Sequence, residues 1–223
     1  MNIPLAQSYR HCQQLARRTA SNFYYAFWLL PREKRKAMCA LYAFLRCTDD
    51  LGDSPAPAEE RRKSLAAWRQ SLEAAMAGDF DSPVFPALAD TVARFEIPPQ
   101  NLFGAIDGME MDLETTRYAT FADLRRYCYC VASTVGLSCI HIWGFRDAAA
   151  LRPAEQAGVA FQFTNILRDL KEDAARGRIY LPLEDLTAFK YYEEELLPAV
   201  RKGKFRQLIG FHIERAAALS KQN

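Results

Sequence analysis

Apolar residues recur at helical spacing through almost the whole chain. In the longest such segment they stand at Met38, Leu41, Leu45 and Leu51, and the pattern breaks at Gly52. Steps of three and four place side chains on one face of an α-helix. No segment shows the alternation of apolar and polar residues that is typical of a strand. The sequence therefore predicts an all-α fold, a bundle of roughly eight to ten helices.

Size and charge limit what kind of protein this is. With 223 residues, half of them hydrophobic, the chain is long enough for a single domain over residues 1–223 with a substantial core. Its 29 basic and 27 acidic residues leave a net charge of +2, so no nucleic-acid partner is expected. The N-terminal residues show no signal-peptide pattern and no membrane-spanning run. A cytoplasmic location is expected, with peripheral contact with a membrane left open.

One segment, Phe161–Pro182, places polar and acidic residues at a constant helical step. Asn165, Asp169 and Asp173 are four residues apart, and each step of four rotates by only about 40° around a helix. Gln162 belongs to the same face. Like charges four residues apart destabilise a helix. This face therefore indicates a cation site, for which a divalent metal is the obvious candidate.

A second acidic face comes earlier in the chain, near the end of another helical segment. Tyr42, Arg46, Asp49 and Asp53 follow one another at steps of four, three and four. Acidic side chains in the last turn of a helix oppose the macrodipole, which favours cations there. A bound cation would reverse that cost. The alternative interpretation is a solvated helix end followed by an acidic loop.

Two acidic faces, each with an arginine close before its first aspartate, suit a diphosphate bound through Mg²⁺. Magnesium takes one or two protein carboxylates together with phosphate oxygens, and arginines such as Arg46 and Arg168 add bidentate contacts to phosphate. Loss of the diphosphate from an allylic substrate leaves a carbocation, which needs an apolar pocket without water. A third acidic pair, Asp107 and Asp112, is separated by about 140° of helix rotation, so these two are not expected to share a metal.

Two segments supply material for an apolar pocket. The block Phe23–Leu30 is apolar on every side, so it must be buried or line an apolar cavity; an aromatic core helix is the alternative. The predicted helix Phe121–Phe145 carries Ala132 and Gly136 near the stripe of Tyr127. Small residues allow either close helix packing or a channel for a long apolar substrate, and the sequence leaves both open.

Three stretches resemble the squalene and phytoene synthases, head-to-head prenyltransferases of the all-α isoprenoid synthase fold. They are NFYYAFWLLPREKRKAMCALYAFLRCTDDLGD, DGMEMDL with RYATFADLRRYCYCVASTVG, and FQFTNILRDLKEDAARGRIYLP. The resemblance implies a central cavity and a Mg²⁺ site formed by Asp49, Asp53, Asp169 and Asp173. It implies a catalytic group made up of Tyr42, Arg46, Tyr127, Arg168 and Tyr180. Substrate contacts are expected from Phe23, Phe27, Ala132, Gly136, Gln162 and Asn165.

The reaction that this resemblance implies joins two prenyl diphosphates head to head through a cyclopropylcarbinyl diphosphate. DGMEMDL and VASTVGLSCIHIWGF resemble bacterial enzymes that make presqualene diphosphate or squalene from farnesyl diphosphate. Phytoene synthesis from geranylgeranyl diphosphate is the alternative, and a non-catalytic assembly factor of the same fold is another. The sequence leaves open whether NADPH is used. Family members usually continue through more helices, so this chain is expected to lack the C-terminal helices that close the cavity.

Overall fold

The computed structural model describes residues 3–19, 21–196 and 203–221 and confirms the all-α prediction. Its α-helices are α1 (Leu5–Thr19), α2 (Ser21–Phe27), α3 (Arg32–Gly52), α4 (Ala58–Met76), α5 (Phe85–Arg94), α6 (Pro99–Glu114), α7 (Phe121–Cys128), α8 (Thr134–Trp143), α9 (Leu151–Ala175), α10 (Leu183–Ala188) and α11 (Gly203–Lys221). Within the described ranges there is no strand, only an isolated β-bridge between Arg117 and Ile179.

The helix α3 organises the first half of the chain, since it packs against α1, α4, α5, α6 and α8. Phe44 on its buried face stacks on Trp68 of α4, with ring centroids 5.8 Å apart. Trp68 also donates a hydrogen bond from Nε1 to the Thr48 hydroxyl at 2.9 Å. This packing fixes the last turns of α3, which carry Asp49 and are capped by Asp53.

The helix α9 has the same role in the second half, where it packs against α7, α8 and α11. Val159, Phe163 and Ile166 of α9 are buried in one cluster with Leu124 of α7. Of the predicted site residues of α9, Arg168 is exposed and the other four are half-buried: Gln162, Asn165, Asp169 and Asp173. Packing on one side of α9 therefore leaves its polar face partly open.

The predicted helix Phe121–Phe145 is interrupted by a π-helical turn, Tyr129–Ser133, between α7 and α8. A π turn accommodates an extra residue, so it rotates the residues that follow relative to those that precede it. The structure does not place Tyr127 beside Ala132 and Gly136. Tyr127 belongs to a buried cluster with Asp112, described below, whereas the other two residues line a cavity.

Close helix packing and a cavity both occur along this segment, at different glycines. A Cβ added at Gly158 of α9 would lie 2.5 Å from Ser133 Cα and 2.7 Å from Ser133 N, so α9 approaches the π turn closely only with glycine there. The Ser133 hydroxyl donates to the Glu155 carbonyl at 2.6 Å and fastens the same contact. At Gly136 an added Cβ would meet only the Ala154 carbonyl, at 3.9 Å. Gly158 thus allows α9 to pack closely against the π turn, whereas Gly136 leaves open space beside α8.

The aromatic block Phe23–Leu30 is less buried than its composition predicts. Phe27 is buried, but Trp28 is 59% exposed and Leu29 is 88% exposed. The reason is that α2 ends at Phe27 and the chain then turns into α3, so only one side of this short segment meets the core. Arg35 covers the Trp28 ring at 4.3 Å. The block lines an apolar cavity with Ala26, Phe27, Leu29 and Leu30, which is one of the two outcomes that the sequence predicts. The side chain of Phe23 lies outside the described residues.

Candidate active site

The first acidic face occupies the last two turns of α3. Arg46 pairs with Asp50, an acidic neighbour that is not one of the predicted metal ligands, through Nη2 and Oδ1 at 2.5 Å. Asp49 is exposed to solvent, although protein atoms surround part of its carboxylate. Desolvation there, followed by the charge of Asp53, raises the pKa of Asp49 to about 6. The face therefore carries negative charge that no nearby side chain fully compensates.

The second acidic face lies on α9. Arg168 holds Asp169 with two hydrogen bonds, from Nε to Oδ1 at 2.7 Å and from Nη2 to Oδ2 at 2.6 Å. This pairing lowers the pKa of Asp169, whereas burial and the charge of Asp169 raise the pKa of Asp173. Both predicted arginines are thus engaged with carboxylates beside them, and each must exchange that partner to bind a phosphate.

A third carboxylate, Asp112 at the end of α6, lies between the two faces. Its Oδ1 accepts a hydrogen bond from the Tyr180 hydroxyl at 3.0 Å, and its Oδ2 accepts one from the Tyr127 hydroxyl at 3.1 Å. The charge of Asp112 contributes to the raised pKa values of both Asp49 and Asp173. The two acidic faces are therefore close enough to one central carboxylate for their charges to interact with it.

The sequence did not predict the position of Asp112 between the two acidic faces, because helical spacing relates Asp112 only to its neighbour Asp107. The two do diverge: Asp107 pairs with Arg69 instead. The partners of Asp112 are 15 and 68 residues away in the chain, and no helical periodicity relates residues at such separations. The DGMEMDL stretch, which contains Asp112, was the available signal.

Three tyrosines stack beside Asp112. The Tyr180 ring centroid lies 5.2 Å from that of Tyr127 and 5.7 Å from that of Tyr118. Burial raises the pKa of Tyr180 to about 12 and raises that of Tyr127 further. Both hydroxyls therefore keep their protons at neutral pH and act as hydrogen-bond donors to Asp112.

Two apolar cavities adjoin the acidic faces. The first, of about 520 Å³, lies between α2, α3 and α8 and is lined by Ala26, Phe27, Leu29, Leu30, Met38, Leu41, Tyr42, Leu45, Val135, Cys139 and Trp143. The second, of about 540 Å³, lies between α8 and α9 and is lined by Val131, Ala132, Val135, Gly136, Ile140, Trp143, Ala154, Ala157, Gly158, Phe161 and Gln162. They are neighbours, because Val135 and Trp143 line both.

The structure divides the predicted substrate contacts between these cavities. Phe27 and Tyr42 line the first, and the Tyr42 hydroxyl also donates to Thr19 Oγ1 at 3.2 Å. The second cavity is lined by Ala132, Gly136 and Gln162. Asn165 is half-buried on α9, one turn beyond the second cavity.

The donor set fits a metal that is shared with a substrate. Among the described residues, no three Asp, Glu, His or Cys side chains converge as a ready-made metal site. Mg²⁺ does not need such a site, since it characteristically binds one or two protein carboxylates and completes its shell with waters and phosphate oxygens. The pairs Asp49 with Asp53 and Asp169 with Asp173 are hard oxygen donors of that kind. Across the residues that the structure describes, no helix has the length and apolarity to cross a membrane.

Comparison with known proteins agrees with the all-α fold. The sequence profile of the squalene/phytoene synthase family matches residues 16–222. The chain belongs to this family, and its class of activity is prenyl transfer.

Three individual relatives illustrate the similarity. A phytoene synthase of Arthrospira platensis is 42% identical over 224 residues, which cover 95% of this chain and 72% of that protein. The crystal structure of squalene synthase HpnC from Alicyclobacillus acidocaldarius has a TM-score of 0.89 at 32% identity, covering 97% of this chain and 82% of that one. A dehydrosqualene synthase in complex with a ligand has a TM-score of 0.84 at 30% identity, covering 96% of this chain and 75% of that one.

The raised pKa of Asp49 leads to a testable dependence on pH. The pKa of Asp49 is raised from 3.8 to about 6 in the folded, metal-free protein, so the folded state holds this proton more tightly than the unfolded state does. The stability of the metal-free protein therefore falls as the pH rises through about 6. Mg²⁺ competes with that proton. At pH values well above 6, we expect Mg²⁺ to raise the melting temperature of the protein. At pH values below 6, we expect this increase to be much smaller. A Mg²⁺ effect of equal size on both sides of pH 6, measured by differential scanning fluorimetry, would contradict the role of Asp49.

Proposed function

We propose that this protein catalyses the Mg²⁺-dependent head-to-head condensation of two prenyl diphosphates. The observation that carries the proposal is the order of side chains along α3 and α9. On α3, Tyr42 lines a cavity and Asp49 follows two turns later. On α9, Gln162 lines the other cavity and Asp169 follows two turns later. Each helix thus runs from an apolar cavity, suited to a prenyl chain, to carboxylates suited to its diphosphate.

The roles of the charged residues follow from this arrangement. The aspartate pairs of α3 and α9 would hold Mg²⁺, and bound Mg²⁺ would offset the charge that develops on the departing diphosphate. Arg168 would exchange Asp169 for phosphate oxygens once a metal occupies that carboxylate. Arg46 would likewise exchange Asp50 for phosphate oxygens. The Nε of Arg46 is buried without a hydrogen-bond partner, so this N–H group is free to donate to a phosphate oxygen.

The apolar residues would protect the reacting carbon atoms. Departure of diphosphate leaves an allylic cation, which water would capture, and cavity walls such as Phe27, Val135 and Gly136 exclude water. The double bond of the second substrate attacks this cation and loses a proton, which gives a cyclopropylcarbinyl diphosphate. The released diphosphate is the group best placed to take up that proton, because no histidine is found among the described residues of the acidic faces.

For the chain length we propose geranylgeranyl diphosphate as the preferred substrate. The motifs favour farnesyl diphosphate, and two structural relatives carry the names squalene synthase and dehydrosqualene synthase. The relative that is 42% identical is named phytoene synthase, however, and it is more similar in sequence than those two. Farnesyl diphosphate, giving presqualene diphosphate or squalene, is the second candidate.

Product analysis tests both candidates in one experiment. Purified protein is incubated with Mg²⁺ and radiolabelled geranylgeranyl or farnesyl diphosphate, with and without NADPH, and the extracted lipids are separated by chromatography. We expect a head-to-head product chiefly from geranylgeranyl diphosphate, and no product when EDTA removes the metal. A well-folded protein that makes no product from either substrate would refute the proposal and favour the non-catalytic alternative.

We also propose that the mouth of the cavities contacts a membrane surface peripherally. Leu29 and Trp143 line the first cavity and are largely exposed, and Phe161 of the second is 69% exposed. Apolar side chains of this kind insert into the boundary of a bilayer, next to which a long apolar product would leave. Leu29→Ser is expected to reduce co-sedimentation with phospholipid vesicles relative to wild type. Unchanged co-sedimentation, or none for wild type, would refute this contact.

A further inference from the structure

Asp112 is held at both of its carboxylate oxygens by residues from distant parts of the chain. Tyr127 of α7 donates to one oxygen and Tyr180, which follows α9, donates to the other, at 3.1 and 3.0 Å. Arg178 donates to the Asp112 main-chain carbonyl at 3.2 Å. Side chains of three segments therefore meet at the end of α6, and each has a defined orientation.

The location of this cluster connects it with the reaction. Asp53 acts electrostatically on Asp112 from the first acidic face, and Asp112 acts on Asp173 of the second. The Tyr127 and Tyr180 rings stack on each other with an interplanar angle of 27°. The faces of aromatic rings attract cations, so the orientation of these rings influences a cation formed between the two aspartate pairs.

We propose that Asp112 is a positioning residue, which fixes the phenol groups of Tyr127 and Tyr180 between the two acidic faces. This inference rests on the proposed function. Asp112 accepts a hydrogen bond from each hydroxyl and so sets the direction of the two O–H bonds. The lone pairs of the tyrosine oxygens then lie on the side away from Asp112. The stacked rings are then held in one arrangement before the substrate binds, which lowers the cost of organising the site during the reaction.

A purely structural role for Asp112 accounts less well for the same contacts. Asp112 is half-buried, so its carboxylate has a desolvation cost, and apolar residues of similar shape usually stabilise a core at least as well. Tyr118, the third ring of the stack, has a buried hydroxyl without a hydrogen-bond partner. Asp112 therefore does not serve to satisfy every hydroxyl of the stack, and its two hydrogen bonds select Tyr127 and Tyr180.

The test uses Asp112→Asn, with Asp107→Asn as a matched control on the same helix. The amide oxygen of asparagine can accept a hydrogen bond from one phenol, but its NH2 group is a donor toward the other. At least one of the two hydrogen bonds therefore reverses or breaks. We expect kcat to fall about 100-fold, as for a misplaced catalytic group, with little change in KM. Asp107→Asn should leave both constants unchanged.

Two further measurements separate positioning from a general loss of stability. If Asp112 acts through Tyr127, the double variant Asp112→Asn/Tyr127→Phe should lose little more activity than the more impaired single variant. Ultraviolet resonance Raman spectra of the metal-free protein, whose tyrosine bands report hydrogen bonding, should change in Asp112→Asn and not in Asp107→Asn.

The possible failures are distinguishable. Additive effects of the two substitutions, unchanged tyrosine bands, or unchanged kcat with a lower melting temperature would each overturn the positioning role. If wild-type protein makes no prenyl product at all, the proposed function fails instead. The Raman comparison would still show whether Asp112 orients the two phenols.

Discussion

Replacing Asp49 by asparagine is expected to lower kcat about 1,000-fold, because loss of a metal ligand removes several kcal/mol of leaving-group stabilisation. The same substitution should raise the melting temperature of the metal-free protein at neutral pH. Partial desolvation and the neighbouring charge of Asp53 disfavour the ionised Asp49 carboxylate, and the neutral amide removes that cost. Activity and stability should therefore change in opposite directions, a combination that a folding defect does not produce.

Mg²⁺ titrations complete this test. In wild-type protein Mg²⁺ with inorganic diphosphate should raise the melting temperature, and in Asp49→Asn this increase should largely disappear. Asp79→Asn, which changes an exposed aspartate in the turn after α4, serves as the control and should behave as wild type. Full activity of Asp49→Asn would show that the metal is held elsewhere, and a lowered melting temperature would show that Asp49 has a structural role.

The sequence was most informative where the relevant geometry is local. The spacing of Asp49 and Asp53, and that of Asp169 and Asp173, follows from the rotation per residue of an α-helix. Asp169 and Asp173 lie on α9, whereas Asp49 lies in the last turn of α3 and Asp53 is the residue that caps its C-terminal end. The all-α class and most helix limits also follow from local periodicity and from breaks at proline and glycine. Such features depend on residues within a few positions of each other.

What the sequence could not predict depends on contacts between distant segments. Asp112 gains its place only when α6, α7 and the segment after α9 come together. The π turn, Tyr129–Ser133, is fastened by a hydrogen bond to α9, to a residue 22 positions further along the chain. The exposure of Trp28 and Leu29 likewise reflects where the chain turns into α3, which the composition of the block does not determine.

The largest expected effect on stability comes from a buried ion pair that holds α11 in place. Asp185 of α10 is buried and accepts two hydrogen bonds from Arg215 of α11, at 2.6 and 3.3 Å. The Arg215 guanidinium lies between two aromatic rings, 4.2 Å from the centroid of Phe121 and 4.4 Å from that of Phe211. His212 beside it is fully buried, and burial lowers its pKa to about 4, so it supplies no positive charge at neutral pH.

Asp185→Ala should therefore lower the free energy of unfolding by about 3–5 kcal/mol, because it leaves the Arg215 charge without its partner. The control is Glu155→Ala, which removes the exposed Arg125–Glu155 pair and should cost at most about 1 kcal/mol. Urea unfolding followed by circular dichroism measures both. A similar small loss for the two variants would mean that solvent reaches Arg215 and screens its charge.

A double replacement separates the charge from the packing. In Asp185→Leu/Arg215→Met both charges are absent and apolar volume remains, so most of the lost stability should return. Since α11 packs against α9, which carries Asp169 and Asp173, the two variants should also differ in function. Asp185→Ala should loosen the second acidic face and weaken the Mg²⁺-induced rise in melting temperature, and the double variant should restore it. If the double variant regains stability without regaining this Mg²⁺ response, the ion pair itself contributes to the field of the site.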